Sequence, residues 1–349
     1  MKNFYDHTQS ELESYLTGNG KEKFRAQQLF RWIYQRKTTD PEQMTNLAKD
    51  FRSDLKNLFE FKLPIVRHQA DSVDGTRKFL MEVEGGKNIE AVLIPGNADR
   101  LTLCVSSEVG CAMGCKFCFT SKMGLMRRLT VSEIVGQFVI AANSLTDGRR
   151  ITNIVFMGMG EPLDNVDNVS KAIEVLHNQH GIGFALRKIT ISTSGLAPLI
   201  KRVAQSGVRL AISLNATTNE IRDRIMPINK KYPLEELLAA CKEYTDDTNE
   251  MITFEYVLLK GVNDTRDDAH RIAKLTKNIP SKINLIPFNE HPDSGFLRPV
   301  SNDVAEFQKI LMKLGKHVLV RRTMGRDIYA ACGQLRSEME KHPEQMAIN

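Results

Sequence analysis

The sequence predicts an α/β protein whose main part is a partial (β/α)6 barrel, preceded by a small N-terminal helical domain and a short β linker. Three observations lead to this prediction. Six apolar strands alternate with helices from about residue 100, helical periodicity fills the first sixty residues, and a hairpin pattern lies between these parts. We place the boundaries at residues 1–60, 61–96 and 97–349.

The N-terminal domain is predicted to be helical because KEKFRAQQLFRWIYQRK can place Phe24, Leu29, Phe30 and Ile33 on one helix face. Basic and aromatic residues alternate in this segment, which suits contacts to nucleic-acid phosphates and stacking on bases. A packed helix with a solvated basic face explains the same pattern, and the segment alone leaves both interpretations open. The residues concerned are Lys21, Lys23, Arg25, Arg31, Arg36, Lys37, Phe24, Phe30, Trp32 and Tyr34.

The linker is predicted to be a β-hairpin. Two strand-like segments, TRKFLMEVEG and NIEAVLIP, meet at the turn-rich stretch Glu84, Gly85, Gly86 and Lys87.

The barrel is predicted from six strand-helix units, whose strands are LTLCVSSE, ITNIVFMG, KITISTSG, RLAISLNA, ITFEYVLL and KINLIPFN. Apolar strands that alternate with helices indicate a parallel sheet covered by those helices. Six such units fit a partial barrel better than an open, doubly wound sheet. One more strand, HVLVRRTMG, is followed by a connection that carries Cys332 and by a polar helix from about Gly333.

Composition narrows the class of protein. Hydrophobic residues make up 42% of the chain and charged residues 26%, and the net charge of +6 favours a polyanionic partner without proving one. The N-terminal segment lacks the apolar run of a secretory signal, and nowhere do eighteen apolar residues follow one another. We therefore expect a cytoplasmic protein with no membrane contact, and we expect a monomer.

Six cysteines are too few for a disulfide framework in a chain of this size, and three of them cluster as Cys111, Cys115 and Cys118 directly after the first barrel strand. A zinc site would require a fourth ligand, and the nearest histidines downstream, His177 and His180, lie on a predicted helix. A 4Fe-4S cluster held by three thiolates leaves one iron open to a chelating small molecule. The count of three therefore favours a catalytic cluster.

The CxxxCxxC motif after the first strand of a partial barrel resembles the signature of the radical S-adenosylmethionine superfamily. GMGEP, at residues 158–162, resembles the superfamily motif that contacts the amino group of the cofactor. Other polar residues end later strands, at the barrel edge where active sites assemble. The expected cofactor-binding residues are Gly160, Glu161, Ser192, Ser213, Leu214, Asn215 and Asn289.

A closer resemblance spans nearly the whole chain. LCVSSEVGCAMGCKFC, FMGMGEPL, ISTSG, INLIPFN and AACGQL together resemble the RlmN family of RNA adenine C2 methyltransferases. The resemblance implies methylation of an adenine in 23S rRNA and of one in the tRNA anticodon loop, with two S-adenosylmethionine molecules and a 5′-deoxyadenosyl radical. It also implies that Cys332 carries a methyl intermediate, that Cys104 resolves it through a transient disulfide, and that Glu90 accepts a proton.

The same resemblance implies an electron donor such as a flavodoxin and its reductase. Two alternatives remain from the sequence: methylation of adenine C8 in 23S rRNA, which confers antibiotic resistance, and a non-catalytic iron-sulfur protein that binds RNA or senses redox state. A surface carboxylate at a strand end is the plain alternative for Glu90. Asn215 stands where many relatives carry histidine, and Cys241 matches no motif.

Overall fold

A computed structural model of the chain describes residues 1–291 and 294–335. Its helices are α1 (Gln9–Gly18), α2 (Arg25–Phe30), α3 (Lys49–Leu58), α4 (Phe119–Lys122), α5 (Val131–Asn143), α6 (Val166–His177), α7 (Ile200–Ser206), α8 (Asn219–Ile225), α9 (Leu234–Thr248), α10 (Arg266–Leu275) and α11 (Ser301–Lys313). Its strands are β1 (Lys2–Asn3), β2 (Phe59–Glu60), β3 (Ile65–Asp71), β4 (Arg77–Val83), β5 (Lys87–Pro95), β6 (Leu101–Cys104), β7 (Glu108–Gly110), β8 (Leu125–Arg128), β9 (Asn153–Phe156), β10 (Ile189–Thr193), β11 (Arg209–Ser213), β12 (Ile252–Leu258), β13 (Ser281–Pro287) and β14 (His317–Val320).

The main sheet has ten strands in the order β14-β13-β12-β11-β10-β9-β6-β5-β4-β3. β6 and β9 to β14 run parallel to one another, with a helix after each strand except the last, so the predicted partial barrel of six units is confirmed. β14 supplies the additional strand. The sheet stays open because β3 and β14 each pair with a single neighbour within it.

The predicted hairpin is present as β4 and β5, which pair antiparallel along the whole of β4. β5 also pairs antiparallel with β6, so the hairpin continues the barrel sheet. β3 was not predicted from the sequence, and it adds a third antiparallel strand beside β4. It is exposed along nearly its whole length and lacks the alternation of buried and exposed residues that reveals a strand.

The N-terminal helices enclose an aromatic cluster in which Phe4 contacts the rings of Tyr5, Phe30, Tyr34 and Phe59. This arrangement contradicts the stacking interpretation for Phe30, Trp32 and Tyr34, because all three side chains are buried in the core. Leu29 and Ile33 are buried as predicted.

Phe24 does not share the buried face, since α2 begins at the next residue and Phe24 is 51% exposed. In the described part of the chain, no helix is both long enough and apolar enough to cross a membrane. The polar helix predicted from about Gly333 falls almost entirely outside the described residues; Gly333, Gln334 and Leu335 are not helical.

Candidate active site

A cavity opens at the carboxyl ends of the parallel strands. Because side chains in a strand alternate between the two faces, the register of the sheet aims one set of residues into the barrel. This inward set includes Met157, Ser192, Ser213, Glu255, Ile286 and Arg321, all of which line the cavity. Strands from across the sheet therefore contribute to one site.

The cysteine loop, residues 111–118, enters this cavity. Its base is closed by β7 and β8, and the Cys111 N–H donates to the Gly124 carbonyl at 3.0 Å. Gly110 has φ +78°, and a Cβ there would lie 1.8 Å from the Gly124 oxygen, so the closure requires glycine. Cys111, Cys115 and Cys118 all line the cavity, as the sequence predicts.

These three thiols fit an iron-sulfur cluster better than a single ion. Among residues 1–291 and 294–335, no three His, Cys, Asp or Glu side chains converge as ligands of one metal ion. Each thiolate of a cluster binds a different iron, so convergence on one point is not required. Burial raises the pKa of Cys111 to about 12 and that of Cys115 well above its usual range, so thiolates there need a positive partner, which iron supplies.

The positions of His177 and His180 do not support the alternative of a zinc site. His177 Nδ1 is bonded to the Phe184 carbonyl at 2.9 Å, and His180 Nδ1 is bonded to Gln9 Oε1 at 2.9 Å. Neither histidine lines the cavity.

Gly160 and Glu161 form the cavity rim after β9. The Glu161 carboxylate accepts bonds from the Ser194 N–H and Oγ, each at 2.7 Å, and the Glu161 N–H donates to Glu108 Oε2 at 2.8 Å. Burial raises the pKa of Glu161, and the Ser194 bonds oppose that rise. Glu161 thus holds two strand ends together and presents backbone to the cavity.

Other predicted cofactor residues divide into two groups. Ser192, Ser213, Asn215 and Asn289 line the cavity, whereas the Leu214 side chain is fully buried in the core and does not. Asn215 adopts φ +52°, and its Oδ1 accepts from the Val257 N–H at 2.8 Å. Asparagine tolerates this left-handed conformation better than most residues.

Cys332 lines the cavity from the cysteine tail, residues 321–335, which follows β14. Asn289 Nδ2 donates to the Cys332 carbonyl at 3.3 Å, and the Phe119 N–H donates to the Gly333 carbonyl at 2.9 Å. Thr120 Oγ1 donates to the Leu335 carbonyl at 2.8 Å. These bonds fix the tail to α4, the helix that begins directly after Cys118.

Cys104 ends β6 on the inward face but is enclosed beside the cavity. Burial raises its pKa to about 12, and the charge of Cys332 adds to the rise, whereas Arg321 lowers it. The pKa of Arg321 is itself raised, first by Cys332 and then by Glu255 and Cys104. Both cysteines are free thiols.

Glu90 is buried, so the alternative of a surface carboxylate is wrong. It lies on the inward face of β5, two residues before Val92, which pairs with Cys104. Lys78 Nζ forms an ion pair with Glu90 Oε1 at 2.9 Å. Glu90 does not line the cavity and sits beyond Cys104 on the same face of the sheet.

Three charged residues near the cavity were not predicted from the sequence: Lys78, Glu255 and Arg321. Lys78 and Glu255 interrupt apolar strands at inward positions, and Arg321 directly follows β14. A charged residue in or at the end of an apolar strand is the signal that could have revealed them. Asn284 Nδ2 donates to Glu255 Oε2 at 2.7 Å.

Comparisons with known proteins show which proteins this chain is similar to. The Radical SAM superfamily model matches residues 105–275, and the model for the ribosomal RNA large subunit methyltransferase N-terminal domain matches residues 2–61. The chain is similar to a crystal structure of a radical SAM methyltransferase from Sphaerobacter thermophilus, with a TM-score of 0.92 and 42% identity, covering 97% of this chain and 100% of that one.

Curated relatives match over almost the full length. The dual-specificity RNA methyltransferase RlmN of Bdellovibrio bacteriovorus is 55% identical over 347 residues, which cover 99% of this chain and 86% of the relative. The protein of the same name from Geotalea uraniireducens is 48% identical over 342 residues, which cover 98% of this chain and 97% of the relative.

Proposed function

Because this chain belongs to the RlmN family of radical SAM RNA methyltransferases, we propose that it methylates C2 of one adenine in 23S rRNA and of one in the anticodon loop of tRNA. The name dual-specificity, which the relatives carry, supports two kinds of RNA substrate. A target adenine has to leave its stack to reach a cavity enclosed by strand ends.

One observation carries the proposal: Cys332 lines the same cavity as the cysteine loop, and the buried Cys104 lies beside that cavity at the end of β6. A radical enzyme that does not store a one-carbon group on one of its own side chains needs no such pair of thiols. Adenine C2 is electron-poor and cannot attack a methyl cation donor, so a stored one-carbon unit on sulfur gives the reaction a route.

Cys111, Cys115 and Cys118 would hold the cluster, and the residues that line the rim would hold S-adenosylmethionine. When bound, the cluster supplies the electron that cleaves S-adenosylmethionine to a 5′-deoxyadenosyl radical and takes an electron back later in the cycle. A flavodoxin with its reductase is the kind of electron donor that would reduce the cluster again. The rim residues are Gly160, Glu161, Ser192, Ser213, Asn215 and Asn289.

Cys332 performs the first transfer. Its thiolate attacks the methyl carbon of one S-adenosylmethionine, a C–S bond forms, and S-adenosylhomocysteine leaves. The methyl group on Cys332 then loses one hydrogen to the radical from a second molecule, and the methylene that remains adds to C2. The adduct then gives up one electron, which the cluster would take up, and the C2 proton, which passes to Glu90.

Cys104 performs the release. Its thiolate attacks the sulfur of Cys332, an S–S bond forms, and the S–C bond breaks with its electron pair on the carbon, where one proton completes the new methyl group. A reductant then restores both thiols. Burial raises the pKa of Cys104 to about 12, and the Arg321 guanidinium opposes that rise, which favours the thiolate form that the attack requires.

Glu90 accepts the C2 proton in this proposal. Its ion pair with Lys78 balances the negative charge of a buried carboxylate. The pair lies on the sheet face that carries Cys104, which supports a shared role in releasing the product.

The test is peptide mass spectrometry of the enzyme co-expressed with a system that matures its cluster. We expect one added methyl group on Cys332 and none on Cys241, the internal control. Only unmodified thiol on Cys332 would overturn the proposal. Nucleoside analysis of the RNA product separates 2-methyladenosine from the C8 isomer, and RNA modification that persists in Cys332→Ala would indicate that this thiol carries no carbon.

A further inference from the structure

Arg222 is a fully buried arginine that is bonded to neutral groups. Its Nε donates to the Leu214 carbonyl at 3.0 Å and its Nη1 to Asn229 Oδ1 at 3.0 Å. Its Nη2 donates to the carbonyls of Ser194 at 2.7 Å and Ser213 at 3.0 Å. All four acceptors are neutral oxygens, and within residues 1–291 and 294–335 no carboxylate forms an ion pair with it.

This buried guanidinium remains charged at neutral pH. Burial lowers the pKa of Arg222 only to about 10, and the negative charge of Cys115 is the first influence that favours the charged form. A buried charge is costly unless an opposite charge or a set of aligned dipoles compensates it. The carbonyls supply dipoles, and the nearby Asp223 carboxylate, which accepts from the Asn229 amide, supplies part of the opposite charge. The rest of the opposite charge remains to be identified.

The cysteine loop lies beside Arg222. Arg222 is on α8, and the carbonyl of Ile225, one turn later, accepts from the Lys116 N–H at 2.9 Å. Ile225 also belongs to an apolar cluster that packs against Cys115 and Cys118. The helix that carries the guanidinium is therefore hydrogen-bonded to, and packed against, the loop that carries the thiols.

The loop supplies the missing negative charge once it is loaded. Three thiolates outnumber the positive charge of an oxidised 4Fe-4S core, so the ligated cluster is an anion, and reduction by one electron makes it more negative. A fixed cation nearby stabilises the reduced state more than the oxidised state.

We propose that Arg222 is the fixed counter-charge of the iron-sulfur cluster and raises its midpoint potential. This inference rests on the cluster assignment of the proposed function. The same guanidinium binds carbonyls of Ser194, Ser213 and Leu214, so it also holds together the strand ends beside which the cofactor would bind.

The test is a redox titration of the reconstituted holoenzyme, followed by electron paramagnetic resonance, with iron and sulfide content measured on each sample. For Arg222→Gln we expect the equilibrium constant of one-electron reduction to fall about tenfold, a midpoint shift of about 59 mV to more negative values. Arg222→Lys keeps the charge and should retain a potential close to that of the wild type. A wild-type potential in a fully loaded Arg222→Gln protein would overturn the inference.

A second variant tests the same inference if Arg222→Gln does not fold. Asn229 Nδ2 donates to Asp223 Oδ1 at 2.6 Å, so Asp223→Asn combined with Asn229→Asp exchanges amide and carboxylate at constant volume and net charge. The exchange moves a carboxylate onto the guanidinium and should shift the potential in the same negative direction. An unchanged potential in this loaded variant also overturns the inference. Absence of a cluster signal in the wild type would instead overturn the proposed cofactor.

Discussion

Cys104 and Cys332 differ in exposure in a way that suits the two tasks proposed for them. Cys332 reaches the cavity, where it can meet S-adenosylmethionine and RNA, whereas Cys104 is only 4% exposed. Burial raises the pKa of Cys104 to about 12, so its thiol stays protonated and protected from reagents at neutral pH. A resolving thiol is needed only after the adduct has formed, and a protected one does not react early.

Replacement of Cys104 should trap the reaction halfway. In Cys104→Ala the methylene can still add to RNA, but no thiol attacks Cys332, so we expect a covalent protein-RNA complex on denaturing gels. Cys241→Ala is the matched control, because Cys241 is also buried, also has a pKa raised to about 12, and lies on α9. It should turn over normally. Free methylated RNA from Cys104→Ala would contradict the role given to Cys104.

For single residues, the sequence was informative wherever the residue belongs to a motif of several closely spaced residues. The three loop cysteines and Cys332 all line the cavity, but Leu214 does not, since a motif records which residues recur and not which way a side chain points. Lys78 was missed because the inward face of β4 is known only from the pairing register, and Arg321 because it lies just beyond the last strand, β14.

Among the elements, the turn after β9 leaves no room for a side chain at Gly160. Gly160 has φ +98°, and a Cβ there would lie 2.6 Å from the Cβ of Glu108. Glu161, the next residue, connects β9 to β10 through Ser194. A side chain added at Gly160 would therefore displace the cavity rim at the ends of both β9 and β10.

Gly160→Ala should lose S-adenosylmethionine binding and stability together. The positive φ costs an alanine about 1–3 kcal/mol, and the clash with Glu108 adds to that. Gly148→Ala is the matched control, since Gly148 has φ +81° and a Cβ added there would meet no atom within 4 Å. Thermal unfolding and equilibrium dialysis with S-adenosylmethionine check both variants. Equal binding by the two would show that the rim tolerates the side chain.

The helices and strands were predictable from the sequence where their pattern of apolar and turn residues was strong. The parallel strands were found because each is an apolar run followed by a helix, and the hairpin because Gly85 and Gly86 mark its turn. β3 was missed because it pairs at an open edge, where the side chains need not alternate. Phe24 was misassigned because the start of α2 depends on tertiary contacts more than on periodicity.

At the scale of the whole molecule, the helical domain and the barrel share one hydrophobic core. Phe4 and Phe30 belong to the same buried cluster as Ile134 and Val135 of α5. The Asp6 carboxylate accepts from the Ser132 N–H at 2.8 Å, and a Cβ at Gly181 would lie 2.9 Å from the Phe30 ring. The two parts are packed as one body in this region.

The full chain should therefore unfold in a single cooperative transition, because neither part can expose this boundary without losing core contacts. Differential scanning calorimetry checks this expectation. Asp6→Ala should lower the single midpoint without splitting it, since it removes one hydrogen bond worth about 1 kcal/mol. Two separate transitions would show that residues 1–60 form an independent domain.

The bonds between the cysteine tail and α4 also have a consequence for the order of synthesis. The cysteine loop leaves the ribosome long before Cys332, and at ordinary rates of translation the interval is on the order of ten to forty seconds. During that interval the three loop thiols lack the tail residues that later bind Phe119 and Thr120. Iron delivered to the nascent chain would meet a loop without these bonds, whereas iron delivered afterwards would meet a loop whose following helix is already bound by the tail.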